Sequence, residues 1–277
     1  MRSVLGYLAV TAALFLGGLG ALLYLRSDDA AAPPVWSGGE IRVGYSSEPP
    51  YSFRTTTGEI LGIGPETAKA VLSLAGIGPI RWVLLDFGQA IGALLDGRID
   101  MIANGLYVTP ERSRQVAFSL PYCSTRQGLL VRRGNPLDLH AYEDAAKNTA
   151  AVVAVLDGSV EQLAMDRLGV AADRLFVVPD PAGGLAAVRA GRADCLALTA
   201  ASVNWLVREA PAEVETASPF YPQPGTATGR SAFAFRPGDV KLAARVNTAL
   251  SRYLVASPHQ ERLRRLGFYS ESAFSGN

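Results

Sequence analysis

Histidine and cysteine are scarce in this chain, with two of each among 277 residues. His140 and His259 lie in polar stretches and read as surface positions. Neither neighbours a nucleophile, so acyl-transfer chemistry has little support. Cys123 and Cys195 lack metal-ligand spacing and have apolar flanks, which reads as two buried thiols rather than a zinc site. No Gly-x-Ser-x-Gly elbow, His-Glu-x-x-His, Cys-x-x-Cys or Walker loop occurs, and Gly62-x-Gly64 and Gly76-x-Gly78 each lack the third glycine of a dinucleotide fingerprint. An excess of one charge is missing too. The 26 basic residues face 25 acidic ones, which argues against a dedicated nucleic-acid binder. No cofactor, metal or catalytic residue is expected, although an enzyme built on carboxylates stays open.

What the chain does contain starts at its N-terminus. Residues 4–25 are 22 positions without a charge, bounded by Arg2 and Arg26, long enough to cross a bilayer as a helix. Ala30-Ala31-Ala32 offers a cleavage site, but Pro33 follows it, so a transmembrane anchor is favoured over a cleaved signal. Either outcome places the rest outside the cytoplasm. Residues 27–39, small and rich in Pro and Gly, read as a linker.

Beyond the linker, strand and helix signals alternate. Strands are expected at 41–45, 80–85, 99–103, 152–156, 175–178 and 194–198, with helices following Gly62 and at 88–96, 160–168, 183–190, 200–208 and 238–256. Such alternation indicates βαβ units with parallel-type sheets, an α/β fold. Ala93-Leu94-Leu95-Asp96-Gly97-Arg98-Ile99-Asp100 resembles Ala187-Val188-Arg189-Ala190-Gly191-Arg192-Ala193-Asp194, which suggests two lobes of like design. The extended runs Gln127 to Arg132 and Ser231 to Phe235 are then candidates to cross between lobes. Lobe 1 would comprise residues 40–128 and 232–277, and lobe 2 residues 129–231.

One segment offers ligand chemistry. Thr109-Pro110-Glu111-Arg112 follows a strand, where loops of an α/β sheet form the ligand crevice. An arginine in the first turn of a helix presents a planar fork to a carboxylate; alone, it reads more readily as a surface ion pair.

Several pieces in order carry a resemblance: Glu48-Pro49-Pro50-Tyr51-Ser52-Phe53, the helix start from Gly62 to Ala70, Gly97-Arg98-Ile99-Asp100, and Thr109 to Arg112 through Phe118-Ser119-Leu120-Pro121-Tyr122. Together they resemble the polar-amino-acid-type solute-binding proteins of ABC importers, family 3, and most of all the ectoine and hydroxyectoine binders. The resemblance implies a two-lobed periplasmic binding protein of type II, with two crossover hinge strands closing on a ligand. It implies a monomer outside the membrane that delivers its ligand to an ABC permease and is not an enzyme.

It also implies that Arg112 grips a ligand carboxylate, and that Gly158, Ser159, Val160 and Glu161 form a second anion contact at a helix start. Glu48, Tyr51, Phe87, Tyr107 and Arg112 would form the cage of the ectoine type. One departure stands out. Where amino-acid binders place an aspartate for the ligand ammonium, this chain has Thr199, which favours a zwitterionic compatible solute. The alternatives are an amino-acid receptor with its cationic anchor elsewhere, and a dehydratase-like enzyme with Glu48 as acid–base group.

Overall fold

The computed structural model describes residues 35–223 and 228–269. The expected anchor at 4–25 and most of the linker lie outside them. Among the described residues no helix is long and apolar enough to cross a membrane.

The strands are β1 (Ile41–Tyr45), β2 (Phe53–Arg54), β3 (Ile60–Leu61), β4 (Ile80–Leu84), β5 (Met101–Ile102), β6 (Ala117–Arg132), β7 (Val153–Leu156), β8 (Leu175–Val178), β9 (Cys195–Thr199), β10 (Val214–Thr216) and β11 (Thr228–Phe235). The helices are α1 (Ile63–Leu74), α2 (Ala90–Leu95), α3 (Pro110–Ser113), α4 (Tyr142–Lys147), α5 (Val160–Arg167), α6 (Pro181–Arg189), α7 (Ala200–Glu209), α8 (Val240–Leu254) and α9 (Ser257–Leu266). Their order in the main sheet is β4-β1-β5-β11-β6-β9-β7-β8, with β10 also on β6.

Two parallel sets build the two lobes. In the first, β1 lies between β4 and β5; in the second, β7 lies between β8 and β9, all parallel. The 16-residue β6 joins them, pairing antiparallel with β11 up to Arg126 and with β9 from Gln127. The crossing strand is longer than the run expected from Gln127, because the pattern before it (Pro121, Ser124, Thr125, Arg126) does not alternate. Its partner begins at Thr228, ahead of the expected Ser231.

Apolar spacing explains the helices. Ala68, Val71 and Leu72 of α1 are buried, and Pro65 fits its first turn. Leu242, Val246, Ala249, Leu250 and Tyr253 put one face of α8 into the same core as Ile41, Val43, Phe233 and Phe235.

The repeated Gly-Arg-x-Asp turn has one job in both lobes. Asp100 accepts from the backbone N–H of Arg42 at 3.0 Å, and Asp194 from that of Val152 at 2.9 Å. Each thereby clamps the entry of a central strand. Each also binds an arginine, Arg42 at 2.7 Å and Arg132 at 2.8 Å.

Two expectations need correction. His259 is not a surface residue: it sits in α9 at 1% exposure, its ring 5.3 Å from that of Tyr253, and burial pulls its pKa down to about 4. Its polar neighbours suggested a surface, but they lie on a helix whose first turn holds Pro258, a place that proline tolerates. The expected helix at 88–96 opens as a tight 3-10 turn, Phe87–Gln89, before α2. The short helix α4 and the β2–β3 hairpin carry too little periodicity to have been expected. Both cysteines are buried free thiols.

Asp100 is the more demanding clamp, since Arg236, at 5% side-chain exposure, also binds it at 2.9 Å. Burial pushes its carboxyl up, but the bonds from Arg42 and Arg236 outweigh that and hold it below the usual range. Its contribution is therefore present at neutral pH and lost as pH falls through that depressed value. Asp100→Ala should cost about 3 kcal/mol in urea unfolding. Asp194→Ala, whose Arg132 partner is 39% exposed, should cost clearly less.

Candidate functional site

The chain leaves β1 through a pinned loop. Glu48 N–H donates to Ser52 O at 2.8 Å, Tyr51 N–H to Glu48 O at 2.8 Å, and Ser52 Oγ to Ser46 O at 2.7 Å. These bonds fix Glu48 and Tyr51, which are 5% and 1% exposed. The loop after β5 approaches them through Gly105, which has φ +89°. A Cβ there would lie 2.4 Å from the Tyr51 ring, so only glycine allows the contact. Tyr107 follows, its hydroxyl 3.1 Å from that of Tyr51, and its ring lies flat against Gly229 of β11. Phe87 opens the turn after β4.

Arg112 is buried on α3, whose first turn is capped by Thr109. Its Nη1 donates to Tyr107 O at 3.0 Å and its Nη2 to Gly158 O of the other lobe at 2.9 Å. Its guanidinium carbon stands 5.7 Å from the Phe87 ring centre.

The second lobe contributes two helix starts. Ser159 caps α5 by accepting from Gln162 N–H at 3.0 Å, and places Val160 and Glu161 in the first turn. Thr199 ends β9 and caps α7, accepting from Ser202 N–H at 3.3 Å. Across the gap, Ser202 Oγ donates to Glu48 Oε1 at 3.3 Å.

These residues surround one small cavity of about 20 Å³. Its wall is formed by Glu48, Tyr51, Phe87, Tyr107, Arg112, Ser159, Val160, Glu161 and Thr199, all singled out from sequence, with Gly105 and Leu156 besides. Gly158 is not on the wall and takes part through its carbonyl. Sequence reasoning missed Ser202, although the Thr199-x-x-Ser202 spacing is that of a helix cap. It also missed Gly105 and Gly229, whose part is to let rings approach.

The electrostatics are unusual for so small a space. Burial, then the neighbouring Glu161, push the Glu48 carboxyl up to about 8, against the opposing pull of Ser202 and Arg112. Burial likewise raises Glu161 to about 7. It lowers Arg112 from its ordinary value, although both glutamates act to hold the charge. The site thus pairs one guanidinium with two carboxylates under three aromatic rings. It can hold a carboxylate at one end and a flat or delocalised cation at the other.

Comparison with known proteins gives four findings. The sequence profile of the bacterial extracellular solute-binding proteins, family 3, matches residues 41–260. A "Probable amino-acid ABC transporter periplasmic-binding protein" of Sinorhizobium fredii is 32% identical over 241 residues, 84% of this chain and 79% of that one. The crystal structure of EhuB in complex with hydroxyectoine superposes with a TM-score of 0.78 at 31% identity, covering 86% of this chain and 91% of the other. An ancestral arginine-binding protein bound to arginine gives 0.73 at 25% identity, covering 82% and 98%.

The lobes meet with no slack at Gly88. A Cβ on it would lie 2.5 Å from Asp157 Oδ2 and 3.2 Å from Asp157 O, across the cleft mouth. Gly88 is exposed and its backbone is unstrained, so the fold does not need the glycine. Gly88→Val should leave urea unfolding within about 0.5 kcal/mol of the parent. It should weaken closure by about 1–3 kcal/mol, read as lost ligand affinity and a larger radius in X-ray scattering with ligand present.

Proposed function

The chain belongs to the bacterial extracellular solute-binding proteins, family 3, and from that membership we propose that it captures a cyclic zwitterion of the ectoine type. It is the substrate-binding component of an ABC importer of the amino-acid type, a binding protein of the periplasmic kind rather than an enzyme. In this reading lobe 1 (residues 40–128 and 232–277) and lobe 2 (129–231) close on the ligand, and residues 4–25 hold the protein at the membrane.

The observation that carries the ligand class is the convergence of Glu48, Tyr51, Phe87, Tyr107 and Arg112 on one cavity. A delocalised amidinium is weakly hydrated, so aromatic faces compete well for it, at about 0.5–2 kcal/mol per ring. Its N–H groups suit Glu48, while Arg112 and the α5 start receive the single carboxylate. Thr199 supplies no charge for a free ammonium group. The similarity to the hydroxyectoine complex supports the same reading. A polar amino acid is the second reading, favoured by Glu161, a buried carboxylate that an ammonium could meet.

A thermal-shift panel of ectoines, betaines and amino acids on the full chain tests the ligand class, since a ligand that binds only the folded state raises the melting temperature. Ectoine should give the largest shift, and no response at millimolar concentration rules the assignment out. Ectoine should bind more tightly than glycine betaine, which has no N–H for Glu48, and Glu48→Gln should hurt ectoine more than betaine. Micromolar binding of glutamate, glutamine or histidine in calorimetry instead promotes the amino-acid reading.

Arg112→Ala should lower ectoine affinity by about 2–5 kcal/mol, thirtyfold or more. Binding within threefold of the parent places the anchor elsewhere.

A further inference from the structure

The cavity wall carries one more carboxylate than a zwitterion of this class uses. Glu161 is 4% exposed, faces the cavity, and its Oε1 has no hydrogen-bond partner. Glu48 is the other carboxylate, and Arg112 is the one cation on the wall. The two terminal nitrogens of Arg112 donate to the carbonyls of Tyr107 and Gly158. The remaining groups that act on Glu161 are its own backbone N–H at the α5 start and the Ser159 hydroxyl, and its charge reaches Tyr107 from the β5 loop and Tyr142 from α4; none of these is a cation.

With both carboxylates ionised, the closed site therefore holds a net charge of about −1. A zwitterion places its cation at Glu48 and its carboxylate near Arg112 and Ser159, in the corner that Glu161 already occupies. The excess remains after binding. An unbalanced charge in an enclosed site is strongly disfavoured, and two carboxylates brought together settle the conflict by keeping one proton between them.

We propose that Glu161 sets the charge of what the site encloses, so that the closed complex takes up a net load of +1. A zwitterion then enters with one proton, held between Glu161 and the ligand carboxylate; a ligand that already carries +1 enters alone. The inference rests on the ligand class proposed above for its carboxylate at Arg112, but its charge rule applies to any ligand anchored there.

The burial that already lifts Glu161 points the same way, and a ligand carboxylate beside it lifts it further. Glu48, facing a ligand cation, is pushed in the opposite direction, below the value of about 8 that burial gives it without one, and is the carboxylate that the complex holds ionised. A group whose pKa rises on binding favours the complex at low pH. Affinity for a zwitterion thus falls as pH rises, by at most about tenfold per unit.

Calorimetry in buffers of differing ionisation enthalpy counts the protons. Ectoine, neutral overall, and arginine, net +1, are the probes on the full chain and on Glu161→Gln. Near pH 8 ectoine should bind the parent with uptake of about one proton. Glu161→Gln mimics the protonated acid, so it should take up none, flatten the pH profile and bind ectoine at least as tightly as the parent at high pH. A merely structural role for Glu161 would weaken binding at every pH instead.

If ectoine does not bind and arginine binds without proton uptake, the ectoine reading fails while the charge rule holds. Ectoine binding with no proton uptake, and a pH profile unchanged by Glu161→Gln, overturns the charge rule and leaves the ectoine reading intact. Binding of neither probe overturns both.

Discussion

A guanidinium buried without a bonded carboxylate is the constraint around which this site is arranged. Arg112 is 9% exposed, and burial works against its charge. Two backbone carbonyls and the face of Phe87 surround it, and one of the carbonyls, Gly158 O, belongs to the other lobe. Such a charge is only partly satisfied by dipoles, so a ligand carboxylate gains more here than it would at a surface arginine already paired. The cost of holding the charge unpaired falls on the fold, which must bring α3 and the Gly158 turn together from distant parts of the sequence.

The fold meets that demand by using one device twice. Asp100 and Asp194 each close the entry of a central parallel strand, and the strand ends opposite those clamps deliver the loops that line the cavity. Glu48 and Tyr51 follow β1, Tyr107 and Arg112 follow β5, Ser159 and Glu161 follow β7, and Thr199 ends β9. The strand β6 then ties the two sets into one sheet by exchanging β11 for β9 at Arg126–Gln127. Each lobe thus keeps its own sheet hydrogen bonds on either side of that point, and a hinge there belongs to the reading proposed above.

Much of this was legible beforehand. Helix and strand periods marked the parallel units, because their apolar positions recur at 3.6 and 2.0, and the duplicated Asp turn marked the pseudo-symmetry. The wall residues were legible for a different reason: they stand in order within short motifs resembling a family, whereas any one of the three rings alone reads as core. What stayed hidden depends on three-dimensional approach. Ser202 looks like an ordinary cap position, yet its hydroxyl reaches Glu48, 154 residues away in sequence. Gly105 and Gly229 matter only through the rings that lie on them. His259 was misread because its neighbours in sequence are polar, while the face of α9 turns that ring into the core.

The hydroxyl of Ser202 ties the proposed ligand contact of lobe 1 to a helix of lobe 2. Glu48 sits in lobe 1 and is buried here, and Ser202 of α7 in lobe 2 is the donor that offsets part of its desolvation. Closure without a cation leaves Glu48 buried on a single 3.3 Å hydrogen bond, with its pKa raised to about 8. Closure over a cation gives the same carboxylate a counter-charge in a medium where that charge acts strongly. The outer contacts between lobes are weak by comparison. Arg167–Glu111 is an exposed ion pair at 3.0 Å, and Phe53 and Trp205 touch with ring centres 5.2 Å apart. Exposed pairs of this kind contribute about 0–1 kcal/mol and can hold the lobes in register without closing them unaided. In the proposed reading, the balance between open and closed forms rests on what neutralises the carboxylates inside, and charge, more than shape, decides when the lobes shut.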